Sequence, residues 1–162
     1  MKFIRKVFGK MSNMRNSRIP FKLLGSDTFI SNDIVCIGAE NVSIGDKSYF
    51  GEKNTIYAKK ASLTIGNHVV TGEYVTISTG EHRTDVVGEY MCNITEDMKL
   101  QENDAPVVIE DDVWIASRVA ILKGVTIGHG SYISTGNVIT NDIPPYTIYI
   151  NDKLQLSRFD KE

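Results

Sequence analysis

Isoleucine stands at positions 109, 115, 121, 127, 133 and 139, six in a row and six apart. The segments read IEDDVW, IASRVA, ILKGVT, IGHGSY, ISTGNV and ITNDIP. Their fifth place holds Val113, Val119 and Val125, then Ser131 and Asn137. Their second place is often small, as at Ala116, Gly128 and Ser134. The period recurs upstream in Ile44, Phe50 and Ile56 and, after a three-residue offset, in Ile65, Thr71 and Ile77. Ile37-Gly38 reads as an earlier start, out of register.

A period of six is neither the 3.6 of a helix nor the 2 of a strand. It predicts a triangular coil of three short strands, each with its isoleucine inward and a turn after it. Stacked coils pair through their backbones at a spacing of about 4.8 Å. About 18 residues close one coil, so 37–82 makes nearly three and 109–142 nearly two. The pattern is that of an all-β, parallel β-helix. Between the two blocks, 83–106 is polar and has no six-fold row. Loops of this length in a compact domain are functional or disordered, and the regular flanks make this one an excursion loop.

The ends differ from the coils. Ile4, Val7, Phe8 and Met11 fall on one helical face, interrupted by Arg5, Lys6 and Lys10. That fits a short amphipathic helix better than a signal peptide. The expected division is a basic N-terminal arm over 1–25, a β-helix domain over 26–150 and a C-terminal tail over 151–162.

Composition agrees. The chain has 162 residues, with 19 Ile and 14 Val against 7 Leu, a balance that favours pleated strands over helices. The net charge of −2 conceals an asymmetry. Residues 1–25 carry seven basic side chains and no acidic one, and the rest carries a net −9. The body is therefore no nucleic-acid binder by charge. The arm could make weak contact with an anionic membrane surface. Cys36 and Cys92 lack metal-site spacing, which points to reduced thiols in a cytoplasmic protein.

The stretch VVIEDDVWIASRVAILKGVTIGHGSYISTGNVITNDIPPY resembles the hexapeptide-repeat acyltransferases, and within them the sugar and xenobiotic O-acetyltransferase branch that includes the maltose and galactoside acetyltransferases. The resemblance covers roughly two-thirds of the chain. It implies a left-handed β-helix, a known exception to the right-handed crossover rule. It also implies acetyl-CoA as cosubstrate, no metal, and a homotrimer with each site between neighbouring subunits.

Acetyl transfer to an alcohol needs a base for the hydroxyl proton, donors for the oxyanion and a groove for the thioester. Of three histidines, His68 and His129 sit in repeat turns. His82 ends Ile77-Ser78-Thr79-Gly80-Glu81-His82 where the excursion begins, the junction that holds the catalytic histidine in the resembling enzymes. It is the expected general base. Glu81 and Asp85 flank it and could orient it or touch the acceptor. By resemblance, Asn54 and Trp114 contact the acceptor or line the acetyl end, and the backbone N–H near Ser117 is an oxyanion donor. The pantetheine arm would lie near Ala116, Ser117, Ser134, Thr135 and Thr140.

Two features depart from the family. Asn141 stands where many members place a phosphate-binding lysine, and Tyr149–Lys153 replaces their usual C-terminal close. The alternative acceptors are a xenobiotic or an amino-sugar nitrogen, and the alternative class is a non-catalytic β-helix scaffold. The γ-type carbonic anhydrases share the coil, but they need two metal-binding histidines five residues apart. The histidine gaps of 14 and 47 here do not supply that pair.

Overall fold

A computed structural model describes residues 19–151 and 153–155. Most of the basic arm and of the C-terminal tail therefore lies outside the described residues.

The described chain is a left-handed parallel β-helix with three flat faces. Its first coil holds β1 (Leu23–Leu24), β2 (Phe29–Ile30) and β3 (Val35–Ile37). The second holds β4 (Val42–Ile44), β5 (Tyr49–Phe50) and β6 (Thr55–Tyr57). The third holds β7 (Leu63–Ile65), β8 (Val70–Thr71) and β9 (Thr76–Ser78). After the excursion come β10 (Val107–Ile109), β11 (Trp114–Ile115) and β12 (Ala120–Ile121), then β13 (Thr126–Ile127), β14 (Tyr132–Ile133) and β15 (Val138–Ile139). β16 (Ile148–Ile150) begins a sixth turn, and β17 (Lys153–Gln155) folds back antiparallel to it. Each third strand stacks on the same face: face A from β1 to β13, face B from β2 through β16, face C from β3 to β15.

The repeat read from the sequence is the inward row. From Ile44 to Ile139 each predicted inward residue, Thr71 included, is at most 2% exposed. Isoleucines stack on isoleucines between coils: Ile65 pairs with Ile109, and Ile121 with Ile77 and Ile139. Burying one such side chain is worth roughly 1.5–3 kcal/mol.

The start of the row needs correction. Ile37 does not open it, because its side chain points outward and is 45% exposed. The first coil turns Leu24, Ile30 and Cys36 inward, also six apart, and Cys36 pairs with Ile56. A one-residue shift along a strand exchanges its faces, so the isoleucine beside Cys36 lies on the outside. The coils accordingly begin at Leu23.

The corners follow one rule. The third residue after an inward position takes a left-handed backbone, as at Lys47, Lys53, His68, Tyr74, Asp112 and Arg118. The fifth place is buried. Where it is polar, it ties coil to coil: Ser48 Oγ donates to Gly66 O and accepts from Val69 N–H. Ser131 Oγ does the same with Pro144 O and Thr147 N–H. The residue after an inward position is small for a steric reason. A Cβ on Gly72 would stand 2.7 Å from Ser117 N, in the backbone of the next coil.

Candidate active site

The excursion leaves face C after β9 and returns before β10. It carries three short 3-10 turns, Met91–Asn93, Glu96–Met98 and Gln101–Asn103. Ile94 is the only buried apolar side chain between 80 and 106. Polar contacts hold the loop in place. Lys99 Nζ lies 2.8 Å from Asp104 Oδ1, with both side chains buried. Arg83 Nη1 donates to Met98 O at 3.2 Å. From the second coil Lys60 Nζ donates to Glu96 O, and from the fourth Lys123 Nζ meets Glu81 Oε1 at 2.7 Å.

Between loop and face C lies a cleft of about 460 Å³. Ile37, Tyr57 and Ser78 form its wall on face C, and His82, Glu81 and Lys99 its loop side. His82 is exposed, and no other described side chain hydrogen-bonds to it. Its flanking acids are turned to other partners. Glu81 pairs with Lys123, and Asp85 takes a two-pronged contact from Arg83 at 2.8 and 3.1 Å. That guanidinium, with the backbone N–H of Asp85 itself, holds the Asp85 carboxyl below the usual carboxylate range. Neither acid is oriented on the imidazole.

The other expected residues divide between two edges of face C. Ala116, Ser117, Ser134 and Thr135 line the corner between faces B and C on the fourth and fifth coils. His82 stands at the opposite edge, between C and A. Thr140 shares that edge, two coils further along, roughly 10 Å at one strand spacing per coil. Trp114 faces outward on face B, 52% exposed, with its ring 4.8 Å from that of Tyr132. Ser117 Oγ accepts from Glu73 N–H, and its carbonyl accepts from Gly136 N–H. Asn54 is different. It occupies a fifth place and is 2% exposed; its Nδ2 donates to Thr71 Oγ1 at 2.7 Å and its Oδ1 accepts from Val75 N–H. No exposed atom remains to make the acceptor contact expected of it.

His68 is an exposed corner residue with φ +58°, and the His129 ring stands edge-on to Tyr146 at 5.2 Å. Among the described residues no group of three or more His, Cys, Asp or Glu could hold a metal ion.

The bacterial transferase hexapeptide (six repeats) pattern matches residues 106–141. A putative acetyltransferase of Saccharomyces cerevisiae is 32% identical over 149 residues, which cover 89% of this chain and 70% of that protein. The chain belongs to the hexapeptide-repeat acetyltransferase family. Galactoside O-acetyltransferase of Lactococcus lactis is 28% identical over 141 residues, 85% of this chain and 63% of that one. A solved hexapeptide-repeat acetyltransferase of Vibrio cholerae superposes with a TM-score of 0.76 at 25% identity, covering 98% of this chain and 90% of that one. The same protein has also been solved with acetyl coenzyme A. The chain spans 41% to 63% of the length of four of its curated relatives.

Some residues of the hexapeptide chain's cleft escaped the sequence reading. Lys99 and Asp104 lie inside the aperiodic excursion, and Lys123, which pairs with the cleft residue Glu81, in a turn of the regular rows. Spacing gives no sign of these contacts. Tyr57 and Ile37, which wall the cleft, are outward neighbours of the inward positions Ile56 and Cys36. The row marks Tyr57 as surface but reads Ile37 as inward.

Proposed function

We propose that this protein is an acetyl-CoA-dependent O-acetyltransferase acting on a hydroxyl of a sugar or glycan precursor, with His82 as general base. The observation that carries this reading is an exposed imidazole with no partner among the described residues, at the mouth of a cleft between a β-helix face and an ordered loop. A base in use needs an unengaged nitrogen within reach of its substrate.

In one direct step, the imidazole takes the acceptor's hydroxyl proton as that oxygen attacks the thioester carbonyl. A C–O bond forms and the oxyanion is held by backbone N–H donors, Ser117 being the proposed one. Collapse breaks the C–S bond, and the imidazolium returns its proton to the leaving thiolate. Neither cysteine suits a covalent alternative: Cys36 is turned inward and packed against the core, and Cys92 is not among the cleft-lining residues.

His82 and the Ser117–Ser134 corner occupy opposite edges of face C, so a site using both draws them from two chains. A homotrimer supplies that arrangement, with the pantetheine arm along Ala116, Ser117, Ser134 and Thr135 of a neighbour and Trp114 near its acetyl end. The exposed apolar strip of Val35, Ile37, Tyr57 and Val138 on face C supports such packing. Tyr57 and Ile37 give an apolar wall for a sugar ring, with Glu81 at its polar rim. Two free thiols fit a cytoplasmic setting. Among the described residues no helix is long and apolar enough to cross a membrane.

The test is thiol release from acetyl-CoA against a panel of sugars, amino sugars and simple alcohols, with sedimentation to weigh the assembly. Turnover with a sugar hydroxyl by a trimer supports the reading. Acetyl-CoA that neither binds nor turns over with any acceptor contradicts it.

A further inference from the structure

We infer that Lys99 and Asp104 are a positioning pair, a buried charge lock in the neck of the excursion loop that sets where His82 stands. The inference rests on the reading of His82 as base. The outgoing and returning chains lie side by side at the neck. Ala105 N–H donates to Thr79 O and Glu81 N–H to Asn103 O, each at 2.9 Å, and Gly80 bridges Asp104 antiparallel. The next residue after Glu81 is His82.

The ion pair fills this neck. Lys99 Nζ and Asp104 Oδ1 are 2.8 Å apart, with side chains 6% and 11% exposed. Gly80 makes the room: a Cβ there would stand 1.9 Å from Asp104 Oδ1 and 3.4 Å from Lys99 Nζ. The carboxylate therefore rests on the backbone two residues before the imidazole. Ile94 is the only apolar side chain the loop buries, so apolar packing does little to hold it. Segments of that kind open locally at low cost, and their order then depends on the polar contacts at their base. A buried ion pair adds little net stability, but losing one partner strands the other charge out of water. A charge pair in this neck thus penalises partly open geometries, and a displacement of about 1 Å at a reacting group can cost a hundredfold in rate.

Lys99→Met and Asp104→Asn in the full chain test the lock, read by steady-state kinetics and by hydrogen–deuterium exchange. The lock predicts a kcat about 10- to 100-fold lower, a KM for acetyl-CoA within about twofold, and faster exchange confined to 79–106. Unchanged exchange in the neck overturns it, as does wild-type kcat with a loosened neck. Exchange that accelerates equally through the coils marks a merely structural pair and also overturns it. The double variant Lys99→Met/Asp104→Asn combines the two changes, removing both charges with little change of bulk. The lock predicts that it recovers neck protection and kcat relative to either single variant, whereas losses that simply add contradict the pairing. A wild type that transfers no acetyl group refutes the base assignment instead, and the exchange pattern alone then decides the lock.

Discussion

The ring of Tyr146 occupies the space into which any side chain on Gly130 would grow. A Cβ at Gly130 would stand 2.6 Å from Tyr146 Cδ1, and Gly130 itself has φ +70°. Gly130→Ala therefore meets both a clash and an unfavourable backbone, and should cost about 1–3 kcal/mol. Lys47→Gly is the converse. Lys47 holds φ +53° at the equivalent corner of the second coil. Relief of its left-handed strain offsets the added chain entropy, giving a change between neutral and about 1 kcal/mol stabilising. Urea unfolding of the two variants against wild type checks the pair.

The inward row carries the stability. Ile121 is fully buried between Ile77 and Ile139. Ile121→Ala should cost about 2–5 kcal/mol, the range for truncation in a close-packed core. Thr64→Ala, outward on face A and exposed, should stay within about 0.5 kcal/mol. Equal effects at the two positions would contradict the assignment of faces.

Cys36 makes stability depend on pH on the alkaline side. Burial, aided by the nearby Glu40 charge, pushes its thiol up from 9.0 to about 11. A raised value in the folded state means that the fold favours the protonated thiol. That contribution is complete below pH 9.0 and is lost as pH climbs toward about 11. Allowing for the group's partial exposure, the loss is about 1 kcal/mol. Chemical denaturation at pH 8.5 and 11 should show this fall in wild type, and Cys36→Ala should lose that part of it.

How far the sequence reaches depends on whether an interaction repeats. The inward isoleucines recur because each coil presents the same position to the same core, so Ile109 through Ile139 reveal the coil directly. Cys36 was missed at the first coil because a thiol is a weak hydrophobic signal beside Ile37. The resemblance puts Asn54 at the acceptor. Its burial is not legible in the sequence, because that depends on Thr71 and Val75 one coil away. His82 stands out because the period stops there. Lys99, Asp104 and the contact of Lys123 with Glu81 do not, because an aperiodic loop chooses its contacts once, and nothing in its spacing repeats them.

In the proposed reaction the His82 imidazole removes the acceptor's proton. The most direct test of that step is kcat for acetyl transfer by His82→Ala beside wild type, with acetyl-CoA affinity measured in parallel. The expected kcat is lower by about 10²–10⁴-fold, the usual worth of a general base, with cosubstrate affinity nearly unchanged. His82→Ala that keeps full activity on an acceptor used by the wild type would contradict it.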